Sequence, residues 1–186
     1  MQRHGSRDSS SWIAIMMIIA SMAACRGQDA PMAKAATGEA PPVTTAGEAP
    51  GAPAPGTWPL PGRNAQGWRY SPLAQITADN VRNLKVAWTF STGTARGFEG
   101  QPLVVDSTMY VVSPYPNHVF ALDLTKTGGP VKWHYLPATA PASQGEACCD
   151  VVNRGASYAD GKIVFNRLDD HTVALDAKTG KVVWDT

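Results

Sequence analysis

Ala174-Leu175-Asp176-Ala177-Lys178-Thr179-Gly180-Lys181-Val182-Val183-Trp184 reads as a strand, a tight turn and a second strand that ends in tryptophan. The phrase has an earlier copy: Ala121-Leu122-Asp123 runs through Thr127-Gly128 to Trp133, with two extra residues in the turn. Val119-Phe120 before the first copy matches the apolar approach to the second at Val173. Trp88 is a third tryptophan in register, 45 residues before Trp133, which in turn lies 51 before Trp184. A period of this length made only of short strands is the mark of propeller blades. Each tryptophan is then expected in the seam between neighbouring blades, where a large flat ring fills the gap between sheets.

The surrounding sequence carries the same pattern of short apolar runs separated by turn residues. Leu103-Val104-Val105 leads to a turn at Asp106-Ser107 and then Met109 to Val112. His118 to Leu124 follows, then a turn at Gly128-Gly129-Pro130 and Val131 to Leu136. After a turn at Asp160-Gly161 come Lys162 to Arg167, a turn at Asp169-Asp170, His171 to Asp176 and Lys181 to Trp184. One short helix is expected, with Thr77 as its cap, Asp79 in its first turn and an end near Leu84. All four Phe, all five Tyr and five of the six Trp lie from Trp58 onward, which sets the start of the folded region.

Upstream the physics changes. The 32 residues from Arg26 to Thr57 include 20 Ala, Pro or Gly and no Ile, Leu, Phe, Tyr or Trp. They cannot bury enough apolar area to offset their ordering entropy, so residues 25–57 read as a disordered linker. Residues 1–24 place Arg3 and Arg7 before the apolar run Trp12 to Ala24. Thirteen residues rise only about 20 Å as a helix against a hydrocarbon core of roughly 30 Å. The segment therefore reads as a secretory signal. Met22-Ala23-Ala24-Cys25 resembles a bacterial lipobox, which leaves two outcomes open: lipidation of Cys25, giving a membrane tether, or ordinary cleavage. Either way the mature chain is exported to the periplasm.

The whole chain holds 16 Lys+Arg against 15 Asp+Glu. Without residues 1–24 it holds 14 of each, so nothing electrostatic points to nucleic acid. Three cysteines are too few for a disulfide framework and lack zinc-site spacing. His118, His134 and His171 are not at ligand spacing from one another and read as polar faces of strands, not as a metal site. Cys148 and Cys149 are adjacent, and neighbouring Cα atoms at about 3.8 Å are closer than a disulfide prefers. Taken alone, the pair is open to three readings: two buried thiols, pairing elsewhere, or a strained vicinal bridge.

The repeat resembles the tryptophan-docking motif of quinoprotein alcohol dehydrogenases of the methanol and ethanol type, whose fold is an eight-bladed β-propeller. The resemblance covers residues 58–186. It includes Trp58-Pro59-Leu60-Pro61-Gly62-Arg63-Asn64, Tyr70-Ser71-Pro72-Leu73, Ile76-Thr77, Asn80-Val81, Leu84 and Ala87-Trp88-Thr89-Phe90. Ala147-Cys148-Cys149-Asp150-Val151-Val152-Asn153-Arg154-Gly155 matches the family segment that carries a vicinal disulfide. The resemblance implies that Cys148 and Cys149 are bridged and pack on one face of pyrroloquinoline quinone (PQQ). It also implies that Arg154 contacts a PQQ carboxylate and that Glu99, in Phe98-Glu99-Gly100, stands at the cofactor rim. A guanidinium fork suits a carboxylate, and Glu99 beside a tricarboxylate is expected to pair with Arg154 or to share a proton. Read without the family, Glu99 is a surface charge and Arg154 a strand-end ion pair. Asp150 adjoins the cysteines but is not the family's base.

The expectation for the whole is an all-β chain: a partial propeller of about two blades after a signal peptide and linker. The 129 residues from Trp58 to Thr186 are too few to close an eight-bladed ring. The chain therefore reads as the N-terminal part of an enzyme, inactive alone, with the calcium or lanthanide ligands and the catalytic base outside it. The resemblance implies oxidation of primary alcohols by hydride transfer to PQQ, with a periplasmic acceptor such as a c-type cytochrome. Two other functions compete: a non-catalytic propeller lipoprotein that scaffolds outer-membrane assembly, and a PQQ-binding sensor without turnover. A scaffold has no use for Glu99, Cys148, Cys149 and Arg154 together.

Overall fold

The computed structural model describes residues 52–146, 148 and 150–186. The signal segment, Cys25 and the linker as far as residue 51 lie outside the described residues, as does Cys149. The described chain is built of β1 (Phe98–Gln101), β2 (Leu103–Val105), β3 (Thr108–Val112), β4 (Val119–Asp123), β5 (Val131–Tyr135), β6 (Asn153–Ala159), β7 (Lys162–Asn166), β8 (Thr172–Asp176) and β9 (Val182–Asp185). Strands β2 to β5 form one antiparallel meander and β6 to β9 a second. These are two blades, and β1 joins the second by pairing with β6 in parallel.

The repeat read from sequence is a repeat in three dimensions. Ala121 stands opposite Trp133 and Ala174 opposite Trp184. In both blades the register then slips by one residue, between Ala121 and Leu122 in one and between Ala174 and Leu175 in the other. The aspartates that follow start the turns in the same way. Asp123 Oδ1 accepts from the Thr125 amide at 3.0 Å and hydroxyl at 2.6 Å. Asp176 Oδ1 accepts from the amides of Lys178 and Thr179 and from the Thr179 hydroxyl. These bonds favour the charged form. The threonine hydroxyl acts most strongly in each case, and both carboxyls lie below the usual aspartate range. The turns Asp106-Ser107 and Asp160-Gly161 have positive φ at both positions, the conformation that matches a two-residue hairpin to strand twist.

The core is the seam between the blades. Leu103, Val105, Tyr110, Val112, Val119 and Ala121 of the first sheet meet Ala156, Ile163, Phe165, Val173, Leu175 and Ala177 of the second. Trp133 lies in this seam: its Nε1 donates to the Ala177 carbonyl at 3.0 Å, and its ring packs 5.8 Å from that of Tyr110. The Tyr110 hydroxyl donates to the same carbonyl at 3.1 Å, and burial pushes its pKa up. Trp133 covers Gly180 of the second blade, as Trp88 covers Gly129 of the first. Trp184 is half-exposed on the outer strand β9.

Two local readings differ from expectation. The expected helix is a single 3-10 turn, Val81–Asn83. Thr77 does not cap it; the Thr77 amide instead donates to Asn80 Oδ1 at 2.8 Å, so the asparagine closes the turn from its other end. The last residues assigned to the linker are tied down. Arg63, almost fully buried, donates to the carbonyls of Pro53, Thr57 and Tyr70. His118, partly buried, and His134, exposed, come together beside Phe120: their rings meet edge to face at 4.9 Å, and His134 stacks on Phe120 at 4.1 Å. The reason is register, since Phe120 and His134 are directly opposed cross-strand partners. Burial pushes both imidazoles down, and the neighbouring His134 lowers His118 further.

Candidate functional site

Seven of the nine strands were visible as apolar runs; the two that build the candidate site were not. Strand β1 is Phe-Glu-Gly-Gln and has no buried residue, while β6 begins Asn-Arg-Gly. They pair through backbone proximity. A Cβ on Gly100 would stand 2.9 Å from the Gly155 nitrogen, so side chains cannot occupy both sides of this ladder. Gly155 also sits at φ +93°, in the region that favours glycine.

This parallel pairing sets Phe98 beside Asn153 and Gln101 beside Gly155. Glu99 and Arg154 therefore face one another, and Arg154 Nη1 lies 2.6 Å from Glu99 Oε2. The pair is open to solvent, with side chains 72% and 46% exposed for Arg154 and Glu99 respectively. Both groups can thus meet a ligand without first opening the fold. Cys148 is exposed on the turn that precedes β6. The expected bridge to Cys149 lies outside the described residues.

Two residues not singled out from sequence complete the arrangement. Asn153 is buried; its Nδ2 donates to the Asn166 carbonyl at 2.7 Å and its Oδ1 accepts from the Gly155 amide at 2.8 Å. Those two bonds fix the backbone on either side of Arg154. Arg96 Nη1 meets Asp150 Oδ2 at 2.7 Å. Without β1 in view, nothing in the sequence placed Arg96 near the cysteine turn. Asn153, by contrast, was inside the quoted motif and lacked only an assigned part.

The loop that leads to Cys148 is anchored on the far side by charge. Arg167 Nη2 donates to the Ala138 carbonyl at 3.3 Å and to Asp169 Oδ2 at 2.5 Å, and its Nη1 to Asp185 Oδ2 at 3.2 Å. Asp169 Oδ2 also accepts from the Ala140 amide at 2.8 Å. Burial raises the Asp169 pKa, but the Ala140 amide and Arg167 outweigh it and hold the carboxyl below its usual range. Between these anchors the Thr139 hydroxyl donates to the Pro116 carbonyl at 2.7 Å. His171 Nδ1 lies 2.5 Å from Asp185 Oδ1, which joins the third histidine to the polar network around Arg167. Among the described residues, no group of three or more His, Cys, Asp or Glu side chains could hold a metal ion.

Residues 58–185 match the family model described as glucose/ethanol/alcohol dehydrogenase, beta-propeller domain. The chain is 54% identical over 130 residues to a lanthanide-dependent methanol dehydrogenase of Methylacidiphilum fumariolicum (strain SolV), covering 70% of this chain and 21% of that protein. It is 49% identical over 133 residues to methanol dehydrogenase (cytochrome c) subunit 1 of Methylobacterium organophilum, covering 68% and 21%. Among solved structures, a europium-containing methanol dehydrogenase superposes with a TM-score of 0.69 at 53% identity, covering 71% of this chain and 23% of that one. Quinohemoprotein alcohol dehydrogenase from Comamonas testosteroni gives 0.65 at 40% identity, covering 70% and 19%. The chain thus spans about one fifth of the length of the relatives it matches.

Proposed function

The chain belongs to the glucose/ethanol/alcohol dehydrogenase β-propeller family, and from that premise we propose that it forms the N-terminal, cofactor-facing part of a periplasmic PQQ-dependent alcohol dehydrogenase. The observation that carries this reading is the Glu99–Arg154 pair on the parallel edge, beside the exposed Cys148 turn. A lone surface ion pair is unremarkable; here it stands on a strand pairing that needs glycine on both sides and leads straight from the cysteine motif.

The donor set fits PQQ. Arg154 offers a solvent-facing fork of N–H donors suited to a carboxylate, with its Nη1 facing Glu99. Glu99 holds that fork in place and offsets its charge. The turn at Cys148 would supply the surface on which the flat ring system rests. When bound, PQQ supplies an electrophilic quinone that accepts hydride from a primary alcohol. The residues of this chain orient it and shield one side. We assign no catalytic base and no calcium or lanthanide ligand to this chain, which by itself turns over no alcohol. A periplasmic acceptor such as a c-type cytochrome would take the electrons onward. Export through residues 1–24, with or without a lipid on Cys25, delivers the chain to that compartment.

Mass spectrometry of the exported, non-reduced protein tests the reading against a non-catalytic scaffold. The expected peptide spanning Cys148 and Cys149 is two hydrogens lighter than its reduced form, as a vicinal bridge requires. The same spectrum is expected to show a mature N-terminus at Cys25, lipidated or not. Two free thiols at 148 and 149 would count against a PQQ-facing turn.

A further inference from the structure

Four charged side chains line the parallel edge, and they pair with alternating polarity. Arg96 and Glu99 lie on or just before β1, and Asp150 and Arg154 on or just before β6. The first rung is basic on the β1 side and acidic on the other (Arg96 to Asp150, 2.7 Å). The second rung is reversed (Glu99 to Arg154, 2.6 Å). Sliding one strand past the other by a rung would set Glu99 against Asp150, or Arg96 against Arg154. Only the observed register leaves all four charges satisfied.

The close approach of Gly100 and Gly155 also favours this register, but no buried side chain of β1 does. Strand β1 has four residues, none buried, and lies at the outer edge of its sheet. Apolar alternation, the usual determinant of strand register, is therefore missing here. Asp150 also sits at a mechanical junction. The next residue, Val151, is buried, and its carbonyl accepts from the Tyr115 amide at 2.9 Å. On its other side lies the exposed turn with Cys148. Asp150 itself has φ +57°, a left-handed turn that aspartate tolerates better than most residues.

We infer that Arg96 and Asp150 are positioning residues: their ion pair locks the register of β1 on β6, and so sets where Cys148 stands relative to Glu99 and Arg154. The role is local. Both side chains are more than half exposed, and pairs of this kind add little to global stability. The inference rests on the PQQ reading only for its purpose, because the register itself can be observed with no cofactor present.

Hydrogen exchange on the cofactor-free chain tests it. Arg96→Glu places two acids on the first rung and is expected to speed amide exchange in residues 98–101 and 153–155 by about fivefold. Exchange at Ile163 and Leu175, in the seam, stays unchanged and shows that the variant is folded. The charge swap Arg96→Glu with Asp150→Arg restores part of the lost protection, because it rebuilds the pair but gives up the alternating polarity and sets an arginine at a left-handed position. Raising the salt concentration speeds the same amides more in the wild type than in Arg96→Gln, where only the Glu99–Arg154 pair is left to screen. Unaltered exchange in Arg96→Glu, or a swap that fails to rescue it, would overturn the register role. Failure of the chain to face PQQ would leave these exchange results untouched, so the two ideas fall separately.

Discussion

Replacing Gly180 with valine is expected to lower the free energy of unfolding by about 2–6 kcal/mol, combining left-handed strain with overpacking. Gly180 has φ +70°, a conformation that a β-branched residue adopts only under strain. A Cβ there would also stand 2.6 Å from the Trp133 ring. That ring is held in place, because its Nε1 is bonded to the Ala177 carbonyl and it packs at a tilt beside Tyr110. Urea titration of the two proteins gives the difference. Repeating it on a Trp133→Ala background separates the two causes. The clash vanishes with the ring while the backbone strain remains, so Gly180→Val costs less there. A change within about 0.5 kcal/mol in the native background would mean that Trp133 does not dock as described.

Arg167→Ala is expected to cost about 3–5 kcal/mol, because it strands a buried carboxylate. The Arg167 and Asp169 side chains are only 8% and 12% exposed, and they hold each other at 2.5 Å. Replacing both by leucine is expected to recover most of the loss, since a buried pair exchanged for apolar residues is often nearly neutral. Acid titration reports on the same group. The folded Asp169 carboxyl lies below its usual range. Its stabilisation is therefore present above about pH 4 and is lost as the pH falls through the lowered value. In Asp169→Asn that acid limb becomes shallower. An Arg167→Ala variant with native stability would show that the loop from Leu136 to Glu146 is held by its own turns alone.

The repeat was legible in the sequence because each blade states it with the same residues in the same order. An apolar pair, an aspartate, a threonine–glycine turn and a tryptophan each do one physical job, and β4 with β5 repeats as β8 with β9. The strands that build the site were hidden for the opposite reason. Strands β1 and β6 associate by close backbone approach at Gly100 and Gly155, which leaves no apolar alternation to read. Glu99 and Arg154 were named through a family resemblance, and their direct pairing follows from the parallel ladder. Arg96 stayed out of sight, since its partner is 54 residues away and the ladder that joins them was not foreseen.

PQQ retention by a chimera tests the central claim most directly. In the Methylacidiphilum fumariolicum lanthanide-dependent methanol dehydrogenase, the 130-residue stretch that matches is exchanged for the corresponding residues of this chain. If Glu99, Arg154 and the cysteine turn form a cofactor-facing edge, the purified chimera carries PQQ as the parent does. Arg154→Ala within it then weakens retention by about ten- to a hundredfold, the loss expected for a charge-assisted contact. A folded chimera that emerges without PQQ, or one that keeps it equally well with Arg154→Ala, would contradict the account.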